Sequence, residues 1–176
     1  LFRSPVVFFA ALQLGAVVVP MNPLFKRREI EYYLEDSGAS MLWSVPSEEA
    51  VEGARERGVP LRTLGEDGLA PHLAESPGPV TETVERDLED DAVILYTSGT
   101  TGRPKGVPVP LRAAAAFAVY LTCAVDLRPE DLFWNAADHG WAYGLYYGIV
   151  GTLVLGATSV QYRGAFSPAT MVEVIR

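Results

Sequence analysis

The sequence predicts an α/β fold of doubly wound, mainly parallel sheets with flanking helices, and three observations carry that reading. Its 176 residues, 49% of them hydrophobic, can bury one sizeable core and are too few for two large domains. Helix-like and strand-like runs alternate up to Leu64, and strands separated by helices pair in parallel through crossover connections. The alternation resumes at Ala92 and continues to the last residues.

Each element has a local cause. Ser4-Pro5 offers a cap and a first-turn proline, so an apolar helix is expected from there to Gly15, followed by a buried strand at Val17–Val19. A second helix from about Lys26 places Ile30, Tyr33 and Leu34 on one face and stops near Ser37-Gly38, before a strand at Ser40–Ser44. Ser47-Glu48-Glu49 opens a third helix that stops near Gly58, and Leu61–Leu64 reads as a short strand. From Gly65 to Asp91, glycine, proline and acidic residues crowd together, which reads as a solvated surface excursion without chemistry, and His72 within it reads as a surface residue. Ala92–Tyr96 is a β-leaning run, and Leu111–Val125, apolar almost all round, is expected as a buried helix. Leu132–Ala136 and Thr158–Tyr162 read as strands on either side of a helix at Tyr143–Leu155, and Ser167-Pro168 opens the last helix. The chain thus divides into a first α/β portion (1–64), the acidic excursion (65–91) and a third portion (92–176). It opens Leu-Phe-Arg without an initiator methionine and closes Val-Ile-Arg in a helix-like run, so it reads as an excerpt.

Composition narrows the function classes. A formal net charge of -8 argues against nucleic-acid binding, which needs a basic surface excess. The single cysteine, Cys123, excludes an internal disulfide and a multi-cysteine metal cluster and fits a reducing cytoplasm; its apolar neighbours predict a buried, inert thiol. The longest apolar stretch, Val6–Val19, is broken by Gln13 and falls short of the ~20 residues a bilayer demands.

The chemistry-bearing segment follows Tyr96. Thr97, Ser98, Thr100 and Thr101 supply hydroxyls, while Gly99 and Gly102 free the backbone to bring its N–H groups onto an anion. Lys105 adds a positive charge behind Pro104. From Ala92 to Val125 no acidic residue occurs, whereas Arg103, Lys105 and Arg112 do, and a field of that sign favours a polyphosphate. The alternative is a polar hairpin turn between Tyr96 and Val107. Neither the Gly-x4-Gly-Lys-Ser/Thr loop of ordinary nucleotide kinases nor the Gly-x-Gly-x-x-Gly dinucleotide fingerprint is present at this segment.

Tyr96-Thr-Ser-Gly-Thr-Thr-Gly-Arg-Pro-Lys-Gly106 resembles the phosphate-loop signature of the acyl-adenylate-forming superfamily, which includes acyl-CoA synthetases, peptide-synthetase adenylation domains and luciferases. Phe8–Pro23, with Leu14-Gly-Ala-Val-Val-Val-Pro-Met-Asn-Pro23, and Asp36-Ser-Gly-Ala39 extend the likeness upstream. Asp131-Leu-Phe-Trp-Asn-Ala-Ala-Asp-His-Gly-Trp141, with Tyr143-Gly144, resembles the acetyl-CoA and medium-chain acyl-CoA synthetase branch.

The resemblance implies part of the large N-terminal domain of such an enzyme. A short- to medium-chain carboxylate would attack Mg²⁺-bound ATP to give acyl-AMP and pyrophosphate, and coenzyme A would then displace AMP. Thr97, Ser98, Gly99, Thr100, Thr101 and Gly102 would hold the β- and γ-phosphates, with Lys105 neutralising their charge. Trp141, Ala142, Tyr143 and Gly144 would bound the acyl tail, core packing being the alternative for each. Trp134 is read as core; His139 stands in a turn where Asp138 is placed to orient its ring. Two departures limit the transfer. Val107-Pro-Val-Pro-Leu-Arg112 lacks the histidine many relatives carry there, and the motifs for ribose, Mg²⁺ and CoA do not occur up to residue 176. Amino-acid or aryl-acid adenylation, and a non-catalytic nucleotide-binding module, stand as alternatives.

Overall fold

The computed structural model describes residues 3–76, 78, 83–98, 102–162, 164 and 167–175. The chain forms two compact units, one of Val6–Leu111 and one built mainly of Arg112–Arg176.

The chain begins with α1 (Arg3–Gln13), in which Ser4 and Pro5 already lie inside the helix, so Ser4 is not its cap. Gly15, at φ 78°, ends the turn that follows. Val18 then makes a single parallel bridge to Val93, its N–H donating to the Ala92 carbonyl and its carbonyl accepting from Ile94, both at 2.9 Å. The expected strand at Val17–Val19 is thereby reduced to one residue, and Val17 is exposed rather than buried. Gly15 and Pro20 leave only a few residues able to extend a ladder.

The α2 helix (Arg27–Ser37) keeps its expected bounds. The Lys26 N–H donates to Glu29 Oε2 at 2.8 Å, and Gly38 closes the helix in the left-handed region at φ 64°. Ile30, Tyr33 and Leu34 are its buried face. Two short parallel strands follow, β1 (Leu42–Ser44) and β2 (Leu61–Thr63), with Leu42 opposite Leu61. Their crossover is α3 (Glu48–Arg57), capped by Ser47 Oγ accepting from the Ala50 N–H at 3.3 Å and closed by Gly58 at φ 64°. Ile30, Leu34, Leu42, Ala50 and Ala54 pack as one core. Gly53 makes the close approach possible, because a Cβ there would lie 3.0 Å from Ile30 Cγ2.

The acidic excursion is more ordered than its composition implies. A short helix, α4 (Ala70–Ala74), brings His72 Nε2 to 3.0 Å from the Thr63 carbonyl and its ring edge-on to Trp43. His72 is therefore a tie between this segment and β2. Further on, Val84 donates its N–H to Gln13 and Arg86 donates to the Ala16 and Asp91 carbonyls. The unit is completed by β3 (Asp91–Thr97) and β4 (Lys105–Pro110), an antiparallel pair beside the parallel β1–β2 pair.

In the second unit, α5 (Ala113–Cys123) buries only Leu121 completely. Leu121, Leu127 and Ala157 form a core flanked by Val125, Phe133 and Tyr147. The all-round burial expected of this helix is not found: Val119 is 60% exposed and Cys123 is an exposed free thiol. The parallel strands β5 (Leu132–Trp134) and β6 (Thr158–Val160) pair Leu132 with Thr158. Between them run α6 (Ala142–Leu145), a π-helical turn (Tyr146–Gly151) and α7 (Thr152–Val154). The buried Thr152 hydroxyl donates to the Tyr147 carbonyl, five residues back, which fits the wider turn. Ser167 Oγ accepts from the Thr170 N–H at 3.1 Å and caps α8 (Pro168–Ile175), as expected.

Candidate functional site

The glycine and hydroxyl segment is the open end of a hairpin. Tyr96 pairs with Gly106 and Thr97 with Lys105, so the two limbs leave the sheet side by side. Thr97, Ser98, Gly102, Arg103 and Lys105 are all exposed there. Gly99, Thr100 and Thr101 lie outside the described residues. Gly102 has φ 100° with nothing within 4 Å of where a Cβ would be, so its role is conformational. Among the described residues Lys105 has no ion-pair partner. The hairpin that the sequence offers between Tyr96 and Val107 is therefore the arrangement found.

One helix holds both limbs, a feature the sequence did not announce. On the first limb, Tyr96 stacks on Tyr33 of α2 with centroids 4.0 Å apart, and its hydroxyl donates to Asp36 Oδ2 at 2.6 Å. Burial, then the Asp36 hydrogen bond, pushes the Tyr96 phenol well above its usual range, so it stays a donor. On the second limb, the Tyr32 hydroxyl donates to the Pro104 carbonyl at 2.7 Å, and the Arg103 guanidinium lies 5.9 Å from the centre of the Tyr32 ring. Gly106 makes room for this arrangement, because a Cβ there would stand 2.8 Å from Ile94 Cγ2 and 3.2 Å from Tyr96 Cζ. The stretch without acidic residues therefore acquires Asp36 as a neighbour through folding, with its carboxylate engaged by Tyr96.

The Trp141–Gly144 segment is a tight turn entering a helix. Asp138 Oδ1 accepts from the Gly140 N–H at 2.7 Å, and the Asp138 carbonyl accepts from the Trp141 N–H at 3.1 Å. Asn135 bridges the turn, donating from Nδ2 to the Tyr143 carbonyl and accepting from the Ala137 N–H. Trp141 and Tyr143 are exposed at 66% and 49%, Ala142 is half-buried and Gly144 is buried. A Cβ on Gly144 would fall 2.1 Å from the Asp138 carbonyl oxygen, so this glycine answers to backbone packing. The Tyr143 and Tyr120 hydroxyls lie 3.4 Å apart, and both rings lie against Tyr147.

His139 departs from its expected geometry. The Asp138 carboxylate accepts a hydrogen bond from the Gly140 N–H, and its charge still acts on the His139 ring. Burial lowers its pKa, partly offset by the Asp138 charge, and favours the neutral ring. Trp134 is half-buried in β5.

The profile of the AMP-binding enzyme family matches residues 2–176. The chain belongs to that family. It is 37% identical over 153 residues to an acetyl-coenzyme A synthetase of Methanothrix thermoacetophila, covering 85% of this chain and 23% of that protein. A probable CoA ligase of Humulus lupulus, CCL9, is 31% identical over 180 residues, 94% of this chain and 33% of that protein. Among solved structures, a Brucella canis acyl-CoA synthetase superposes with a TM-score of 0.87 at 34% identity, covering 98% of this chain and 33% of that one. ATP-bound MatB of Rhodopseudomonas palustris gives a TM-score of 0.84 at 26% identity, covering 98% and 35%. The chain thus spans a quarter to a third of the length of these family members. Its α/β architecture is that of acyl-CoA synthetase structures.

Proposed function

We propose that this chain is the phosphate-loop and acyl-pocket part of an ATP-dependent, AMP-forming acyl-CoA synthetase acting on a short- to medium-chain carboxylic acid in the cytoplasm. The observation that carries the proposal is the hairpin whose open end presents Thr97, Ser98, Gly102 and Lys105 together. In sequence, 1–64 would be the family's first α/β portion, 65–91 a surface excursion and 92–176 the phosphate-loop and acyl-pocket portion of its large N-terminal domain.

The substrate's carboxylate oxygen attacks the α-phosphorus of ATP, the bond to the bridging oxygen breaks, and pyrophosphate leaves with its electron pair. Charge then builds on the oxygens that the loop faces. Hydroxyls of Thr97, Ser98, Thr100 and Thr101, with backbone N–H groups of Gly99 and Gly102, hold the β- and γ-phosphates in line, and Lys105 offsets the growing negative charge. Coenzyme A, as its thiolate, then displaces AMP from the acyl carbon.

Magnesium enters as part of the nucleotide substrate. Among the described residues no three His, Cys, Asp or Glu side chains cluster for a metal, and Mg²⁺ commonly rides on substrate phosphates with few protein ligands. Trp141, Ala142, Tyr143 and Gly144 bound the acyl tail, the exposed Trp141 and Tyr143 rings by contact and Gly144 by letting the turn close. No described helix is long and apolar enough to cross a membrane, which is compatible with a small-acid substrate met in water.

ATP–pyrophosphate exchange by the protein carrying this chain, driven by a panel of acids and followed by CoA or a carrier thiol as acceptor, tests the proposal. Exchange with a short or medium carboxylic acid and transfer to CoA is expected. Exchange driven only by amino acids would contradict it.

A further inference from the structure

The two limbs of the hairpin loop are fastened to the same face of one helix by different means. Tyr96, on the first limb, is held by ring stacking on Tyr33 and by its hydroxyl on Asp36. Pro104, on the second, is held by a single hydrogen bond from the Tyr32 hydroxyl, with Arg103 beside it over the Tyr32 ring. Tyr32 and Pro104 are 72 residues apart in sequence, so the contact is tertiary and has no part in building either element.

The Pro104 carbonyl is a telling place for such a bond. Proline has no N–H, so Pro104 can be held through its backbone only at its carbonyl, and that carbonyl belongs to the peptide joining it to Lys105. A donor at that oxygen fixes the orientation of the peptide plane, and with it the direction in which Lys105 leaves the strand. Tyr32 itself is half-buried, its ring edge-on to both Tyr33 and Tyr96, so its hydroxyl is delivered by a packed aromatic group with little rotational freedom.

We infer that Tyr32 is a positioning residue for the phosphate loop, setting the Pro104–Lys105 peptide, and through it the Lys105 ammonium, for the nucleotide's terminal phosphates. This rests on the reading of the loop as the ATP site. Tyr32 touches no phosphate; it acts by reducing the number of conformations Lys105 samples before ATP arrives. The Asp36–Tyr96 tie does the same for the Thr97 limb, and α2 is the common base.

Tyr32→Phe is the discriminating variant, because it keeps the ring beneath Arg103 and removes only the donor to Pro104. Two measurements on the protein carrying this chain are needed. Without any ligand, amide hydrogen exchange at Gly102, Arg103 and Lys105 is expected to quicken about 3- to 10-fold, the effect of one neutral hydrogen bond, with α2 amides unchanged. In pyrophosphate exchange, KM for ATP is expected to rise by a similar factor, roughly 3- to 10-fold, while KM for the carboxylate stays constant. A merely structural role would move both constants or neither. Unchanged loop amides overturn the inference, as does a faster loop with an unchanged KM for ATP. If the wild-type protein exchanges no pyrophosphate, the proposed function fails instead, and the hydrogen-exchange arm still decides whether Tyr32 holds the limb.

Discussion

The β3–β4 hairpin and the Asp138–Gly144 turn both rely on glycine, for opposite reasons. Gly102 stands in open space at φ 100°, where only backbone freedom explains it. Gly144 is buried with the Asp138 carbonyl where its Cβ would be. The described residues at the hairpin's open end are exposed, and what fixes its limbs comes from side chains of a helix remote in sequence, Tyr32 and Asp36. The turn is knit by its own neighbourhood, Asn135 and Asp138. The hairpin is thus held by partners remote in sequence, and the turn by partners within ten residues of it.

That contrast breaks in measurable ways. The largest effect is expected for Lys105→Met, which removes the charge proposed to face the departing pyrophosphate: kcat/KM for ATP falls roughly 100-fold or more in pyrophosphate exchange, with the melting temperature close to wild type. Gly144→Ala comes next and acts on stability, costing about 3 kcal/mol by thermal or urea denaturation, since the atoms in the way are backbone. Gly102→Ala is expected to cost only about 1 kcal/mol, through its positive φ. Equal losses from the two glycine variants would erase the distinction drawn between them.

The smallest effect concerns pH. Burial holds the folded His139 pKa below its ordinary value near 6.5. The unfolded chain therefore takes up the proton first as pH falls, and stability present above about pH 6.5 declines from there down to the folded pKa. His139→Gln should flatten that acid limb in denaturation curves taken between about pH 7 and 5.

Local signals were the legible part of the fold. Gly38 and Gly58 end their helices in the left-handed region, and Ser47 and Ser167 accept the cap bonds their positions imply. The hairpin that the sequence offered as an alternative between Tyr96 and Val107 is present. What stayed hidden depends on partners remote in sequence or on which face meets a neighbour. Pro108 and Pro110 obscured β4, yet they occupy alternate positions, so their missing N–H groups fall on one edge of the strand. The apolarity of α5 concealed that Val119 and Cys123 would face outward. No periodicity signals that Asp36 reaches Tyr96 across 60 residues. The π-helical turn left a trace in Gly148 and Gly151, whose Cβ positions would meet Asn135 and Leu121.

The central claim is that the two regions serve different ligands, the hairpin the nucleotide and the Trp141–Gly144 turn the acid. Steady-state constants for ATP and for the carboxylate, measured side by side in Lys105→Met and Tyr143→Ala, test it most directly. The account predicts a crossed pattern: Lys105→Met impairs use of ATP with KM for the acid nearly unchanged, and Tyr143→Ala shifts the preferred acid and its KM with KM for ATP unchanged. Both variants moving the same constant, or Tyr143→Ala leaving acid preference untouched while Lys105→Met leaves ATP use intact, would contradict it.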